Sequence, residues 1–174
     1  EGERLLAMAE IYVGQFASAR QRLEALLARY EADQGRVRNT RYNLDQLVAI
    51  KCSLALVLWL TGEPGRATQV IREAVDRAER IDHIISRSNL LALGAIPITF
   101  WSGEFRTADH YQALLEEDGR REYIEIWARI ARFFKAALRA KQAGVDGLKE
   151  LNARLEELVE WGFTMRAPMY YCTH

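Results

Sequence analysis

The chain has 174 residues, the size of one ordinary domain or of one stretch of a longer regular array. Lys plus Arg and Asp plus Glu each number 24, so the formal net charge is zero, and direct nucleic-acid contact, which draws on a basic excess, is not expected from this segment. A hydrophobic content of 49% with 28% charged residues excludes a disordered chain, no uninterrupted apolar run approaches the roughly 18 residues that span a bilayer, and a soluble, cytoplasmic chain without membrane contact is expected.

The opening Glu1-Gly2-Glu3-Arg4 has neither an initiator Met nor the layout of a signal peptide, so a fragment of a larger chain is expected. Apolar residues then recur at i, i+3 and i+4, with Ala, Leu, Arg and Glu between them. This spacing predicts helices at about 3–13 and 16–32, 43–61 and 64–81, 84–102 and 105–118, and 121–142 and 145–161, with a further helix starting near 167. One short phrase recurs inside each pair: Gly14-Gln15-Phe16-Ala17-Ser18-Ala19, Gly62-Glu63-Pro64-Gly65-Arg66-Ala67, Gly103-Glu104-Phe105-Arg106-Thr107-Ala108, and a degenerate Gly144-Val145-Asp146-Gly147-Leu148-Lys149. The interval from Gly14 to Gly62 is the longest, and those from Gly62 to Gly103 and from Gly103 to Gly144 are equal, which sets a repeat unit of about 41 residues.

Each glycine suits a left-handed residue closing the first helix of a pair, since without Cβ it takes positive φ at little cost. Pro64 suits the first turn of the next helix. The alanine five residues on, Ala19, Ala67 or Ala108, is small where two helices must approach closely; Lys149 breaks that rule. The predicted fold is all-α: a right-handed superhelix of antiparallel helix pairs, a single domain over 1–174 with pairs at about 3–32, 43–81, 84–118 and 121–161 and the start of a fifth at 167–174.

An apolar aromatic, a glycine, an aromatic or proline two positions later and an alanine three after that resemble the tetratricopeptide helix-pair repeat, whose usual unit is somewhat shorter, at about 34 residues. From about Arg41 onward the chain also resembles the C-terminal repeat region of a bacterial regulator family built of a winged-helix DNA-binding domain, a signal-transduction ATPase and tetratricopeptide-like repeats. The phrases that carry this are Tyr42-Asn43-Leu44-Asp45-Gln46, Leu58-Trp59-Leu60-Thr61-Gly62-Glu63-Pro64-Gly65-Arg66-Ala67, Ala95-Ile96-Pro97-Ile98 and Trp101-Ser102-Gly103-Glu104, with Trp127 and Gly147-Leu148 in step. Asn43 and Glu104 depart from the family's usual Gly and Asp. The resemblance implies an interaction or ligand-sensing segment of a transcription regulator, with ATP hydrolysis and DNA binding upstream. A stand-alone scaffold that binds a partner peptide or helix in its concave groove is the alternative.

In such arrays the first helix of each pair lines the concave surface. Counting back from each glycine places Cys52, Leu56 and Trp59, then Leu93, Pro97 and Phe100, then Phe134 and Leu138 on that face, beside Ala49, Leu90, Ala131 and Lys141. An apolar strip of this kind could hold an amphipathic peptide, a small inducer or the chain's own upstream domains; if the longer helices rotate the register, the same residues are core. Pro97 within a helix should remove the bond to the Leu93 carbonyl and kink the axis, either widening a groove or setting curvature.

Arg129, Arg132, Lys135, Arg139 and Lys141 could attract an acidic partner, but Glu150, Glu156, Glu157 and Glu160 in the next helix are placed to neutralise them. His83, with Glu79 a turn back, reads as a surface histidine at a helix C-terminus rather than a metal ligand; His110 and His174 receive no role. Phosphate-cradling Gly-rich loops, Cys-x-x-Cys, His-Glu-x-x-His and Gly-x-Ser-x-Gly are absent, and the neighbouring acids Glu116-Glu117 and Glu156-Glu157 point about 100° apart. No enzyme, cofactor or metal is therefore expected. Cys52 and Cys172 are expected as thiols. Leu155, Leu158 and Met169 are expected to lie exposed for want of a covering neighbour, favouring self-association.

Overall fold

The computed structural model describes residues 2–32, 44–163, 166–171 and 173. Among these the chain is all-helical, in the order α1 (Gly2–Tyr12), α2 (Phe16–Ala32), α3 (Gln46–Leu60), α4 (Pro64–Arg80), α5 (Ile84–Leu90), a π-helical turn (Leu91–Ala95), α6 (Ile96–Trp101), α7 (Phe105–Arg121), α8 (Glu125–Ala143), α9 (Val145–Glu160) and α10 (Ala167–Tyr171). The helices fall where the periodicity puts them, to within about four residues at either end. The start of the helix expected from residue 43 lies partly outside the described residues, as do Cys172 and His174. The chain divides into two compact units, Glu1–Ile98 and Thr99–His174.

The turns explain the recurring phrase. Gly14, Gly62 and Gly103 adopt φ of 80°, 86° and 78°. In each case the next residue's N–H reaches back to the carbonyl five residues earlier, Gln15 to Glu10 at 2.8 Å, Glu63 to Leu58 at 2.9 Å and Glu104 to Thr99 at 2.8 Å. These bonds satisfy carbonyls that the helix end would leave open. Two non-glycine residues take the same conformation where a second helix ends: Asp82 (φ 46°) and Tyr123 (φ 56°). Their separation along the chain equals that of Gly62 and Gly103.

In the first unit α3 is the centre. From Leu47 to Leu58 every residue but the half-buried Lys51 is buried, so this helix has no polar face to turn outward. It packs on α2, α4 and α5. By contrast α4 is two-sided: Ala67, Val70, Ile71, Ala74, Val75 and Ala78 face inward and the charged residues lie opposite. Ala19 and Ala67, the small residues of the phrase, are wholly buried.

Pro97 does not break the helical run. Ahead of it the Ile96 N–H bonds the Leu91 carbonyl, a π-type step, and the helix resumes as α6. Widening the helix by one residue is how a chain takes in a proline ring that would otherwise strike the preceding turn. Gly94 lies in this π turn against α3 and α4: a Cβ there would come within 2.8 Å of Cys52 Sγ and 3.1 Å of Ile71 Cδ1. The run Ile84–Trp101 is, by length and composition, apolar enough to cross a membrane, although no uninterrupted stretch signals it. Ser86, Arg87, Ser88 and Asn89 interrupt it, and 67% of it is buried within the fold, as in a core helix.

In the second unit α8 packs on α7 and α9. Phe133 and Phe134 are fully buried, and Tyr170 of α10 lies on them at 5.0 and 5.8 Å between ring centroids, with Phe163 at 6.0 Å. The expected exposure of Leu155 and Leu158 is not found: they are 5% and 1% exposed, because α9 turns Leu151, Leu155 and Leu158 to the interior, and Met169 is half-buried. Where Lys149 breaks the small-residue rule, Gly147 takes over. A Cβ on Gly147 would fall 2.5 Å from Ala140 Cα, so α8 and α9 meet almost backbone to backbone.

Gly147→Ala is therefore expected to force the two helices apart and cost about 1–3 kcal/mol in urea unfolding; unchanged stability would contradict this close approach. Tyr123, 93% exposed at positive φ, gains little from its side chain, and Tyr123→Gly should raise stability by about 0.5–1 kcal/mol, the relieved left-handed strain less the added chain entropy.

Candidate functional site

Of the eight residues assigned to an inner apolar strip, six are interior. Cys52, Leu56, Phe100, Phe134 and Leu138 are between 0% and 7% exposed and Pro97 is buried, while Trp59 and Leu93 are half-buried. The strip is not an open surface. Its residues do core work: the buried Cys52 abuts Gly94, and Phe100 packs edge-on against Phe105 and Phe134 at 5.5 and 6.1 Å.

The concentrated polar chemistry of the first unit lies elsewhere, around Asp45. The Asp45 carboxylate, on a residue 3% exposed, caps α3 by accepting the Val48 N–H at 2.9 Å. It also takes two bonds from Arg77 of α4, at 2.8 Å each. The Asp45 N–H donates to Ser86 Oγ at 2.7 Å, and His83 Nδ1 lies 2.7 Å from the same hydroxyl. One buried network thus joins α3, α4 and α5. His83 begins α5 and is half-buried, rather than lying exposed at a helix C-terminus, because Asp82 reverses the chain between the two helices.

Arg77 also reaches the wall of a surface cleft of about 350 Å³ lined by Glu31, Leu47, Lys51, Glu73, Asp76, Arg77 and Arg80. Lys51, its side chain 12% exposed, stands between Glu73 at 2.6 Å and Glu31 at 3.7 Å. The Lys51 hydrogen bond outweighs partial burial and holds Glu73 below the usual carboxylate range. With both signs of charge in its lining, the cleft suits a polar ligand or peptide carrying both charges.

A smaller cleft of about 190 Å³ in the second unit is lined by Glu116, Arg132, Lys135, Arg139, Glu150 and Arg154. Here the expected neutralisation occurs in part, through Glu157 and Glu150 of α9 and Glu116 of α7. Lys135 bonds Glu116 at 2.9 Å, Arg139 reaches Glu150 at 3.4 Å, and Arg129, Arg132 and Arg154 converge on Glu157. Lys141 instead lies 5.7 Å from the centre of the Phe100 ring. Among the described residues no three of His, Cys, Asp and Glu gather as they would around a metal ion.

Counting inward from the glycines missed Asp45, Lys51, Glu73 and Arg77. One signal was present: an aspartate directly before an apolar helical run marks a helix N-cap. That Arg77 is its partner depends on how α4 lies on α3.

The pair makes stability depend on pH. Burial pushes the Asp45 carboxyl up, but the Arg77 hydrogen bonds, the Val48 N–H and the Arg77 charge together bring it below its ordinary value. A folded-state pKa below the unfolded value of about 3.9 means the contribution is present above roughly pH 4 and is lost as pH falls below it. Arg77→Met, which leaves the carboxylate buried without its partner, should cost about 3 kcal/mol at pH 7 and markedly less at pH 3, where the carboxyl protonates. Equal losses at the two pH values would show that the charge pairing is not what the substitution removes.

No protein-family model matches the chain, and no solved structure matches it. It is similar to an uncharacterized protein of Rhizobium meliloti (strain 1021), 23% identical over 164 residues, which cover 93% of this chain but 16% of that protein. The chain thus spans about a sixth of the length of the curated relative it matches.

Proposed function

We propose that residues 1–174 form a tetratricopeptide-like superhelical segment that senses a ligand or partner for a multidomain cytoplasmic transcription regulator, relaying the signal to upstream ATPase and DNA-binding domains. The observation that carries the repeat part of this reading is the recurrence of the turns. Gly62, Gly103 and Gly144 stand at equal intervals at the ends of first helices, and Asp82 and Tyr123 are one such interval apart at the ends of second helices, all at positive φ. A unit that reverses twice at a constant period stacks its helix pairs side by side. The regulator part is supported by the phrases from Tyr42 to Glu104, and a relative about six times the length of this chain has ample room for further domains.

Because most of the residues assigned to the inner strip are buried, they offer a peptide little surface, and the charged cleft around Lys51 is the better receptor for a polar effector. The segment itself carries neither catalysis nor a cofactor in this reading.

The upstream sequence of the natural polypeptide tests it: a winged helix and a nucleotide-binding loop are expected, and the absence of both would overturn the regulator assignment. In the full-length protein, deleting residues 1–174 should leave operator binding in place while abolishing its response to effector.

A further inference from the structure

Aligning the helix pairs on the glycine that ends each first helix brings Leu5, Leu6 and Ala9 into register with Ser53, Leu54 and Val57 of the second pair. The third pair offers Gly94, Ala95 and Ile98 at these places, and the fourth has Lys135 and Ala136 at the first two. All three residues are buried in the second and third pairs, as is Ala136 in the fourth. In each of these pairs the first position touches the pair before it. Ser53 Oγ bonds Met8 Sδ at 3.0 Å, Gly94 leaves no room for a Cβ against Cys52 and Ile71, and Lys135 Nζ bonds Glu116 Oε2 at 2.9 Å.

In the first pair the same places are open. Leu5 is 58% and Leu6 48% exposed, against 1% for Leu54, and Ala9 is exposed where Val57 is wholly buried. The contrast extends to the start of α1, where Gly2 is exposed and its counterpart Ile50 wholly buried, and it ends at the turn: two residues before the glycine, Tyr12 is 44% and its counterpart Leu60 41% exposed. Two adjacent leucines and an alanine turned to water on one helix face are what an apolar interface leaves when its partner is removed.

We infer that the Leu5, Leu6 and Ala9 face of α1 is the docking surface for one more helix pair of the same kind, supplied by polypeptide on the N-terminal side of Glu1. The face continues an interface that the chain itself forms between successive pairs, so a pair presenting small and aliphatic side chains fits it. A second copy of residues 1–174 does not fit as well. To continue the array head to tail it would have to offer its fourth pair, whose Phe134 stands in register with Cys52, the residue that receives Gly94; Tyr170 already covers Phe134 at 5.8 Å.

The inference rests on the repeat part of the proposed function and not on the regulator part. Thiol labelling separates them: Leu5→Cys and the control Glu117→Cys, at an exposed position of α7, are each placed in residues 1–174 and in the full-length polypeptide, and reaction with a soluble maleimide is read by peptide mass. Leu5→Cys should label about 10-fold or more slowly in the full-length protein than in residues 1–174, with the control unchanged. Equal rates for Leu5→Cys in the two contexts would overturn the inference, as would protection within residues 1–174 that grows with protein concentration, which assigns the face to a second copy. A protected Leu5→Cys in a protein without a winged helix would overturn the regulator assignment alone.

Discussion

Helices in this chain reverse direction within a few residues, and a residue at positive φ makes each described reversal possible. With the left-handed residue in place, the following N–H can reach the carbonyl five back, so the helix ends without orphaned carbonyls and the next helix starts against it. Everything else about a pair follows from that proximity. Helices that leave a tight turn side by side need small residues where they touch, which Ala19, Ala67 and Ala108 supply beyond three of the glycines. In the fourth pair the turn itself differs, with α9 following Gly144 directly, and the close approach moves to Gly147 against Ala140.

The first unit adds a polar tie to this apolar packing. A helix as uniformly buried as α3 has no amphipathic direction of its own, so dispersion and burial hold it without favouring one rotation strongly over another. Asp45 supplies direction: it caps α3, pairs with Arg77 of α4 and holds Ser86 of α5. Buried polar groups of this kind need every partner in place, and such a network disfavours alternative packings that apolar contact alone would tolerate. Because Arg77 also lines the charged cleft, the cleft's wall is held by the network that orients the core.

The assignment of an inner strip shows where pattern reading stops. Cys52 and Leu56 lie on a helix that is apolar nearly all round, so counting back from Gly62 names a side of the helix without saying whether it meets water or another helix. In the third pair the π turn at Leu91–Ala95 inserts a residue into the helical count, which rotates everything before it relative to Gly103. Pro97 hinted at an irregularity, yet a kink and a π turn are equally good answers to a proline ring, and only packing against Cys52 and Ile71 selected the one with Gly94 inside it.

Local chemistry by itself determined the helices, their ends and their period. Hydrophobic spacing, turn glycines, Pro64 at a first helical position and the Asp45 cap each act within a few residues of chain, and so each is visible in the string of letters. Which helix faces are covered was decided only in three dimensions. Leu155 and Leu158 read as surface until α9 lies against α8, and Leu6 and Leu54 look alike in sequence although one meets water and the other a neighbouring helix. Burial belongs to pairs of elements rather than to residues, and no residue's own pattern carries the identity of what packs against it.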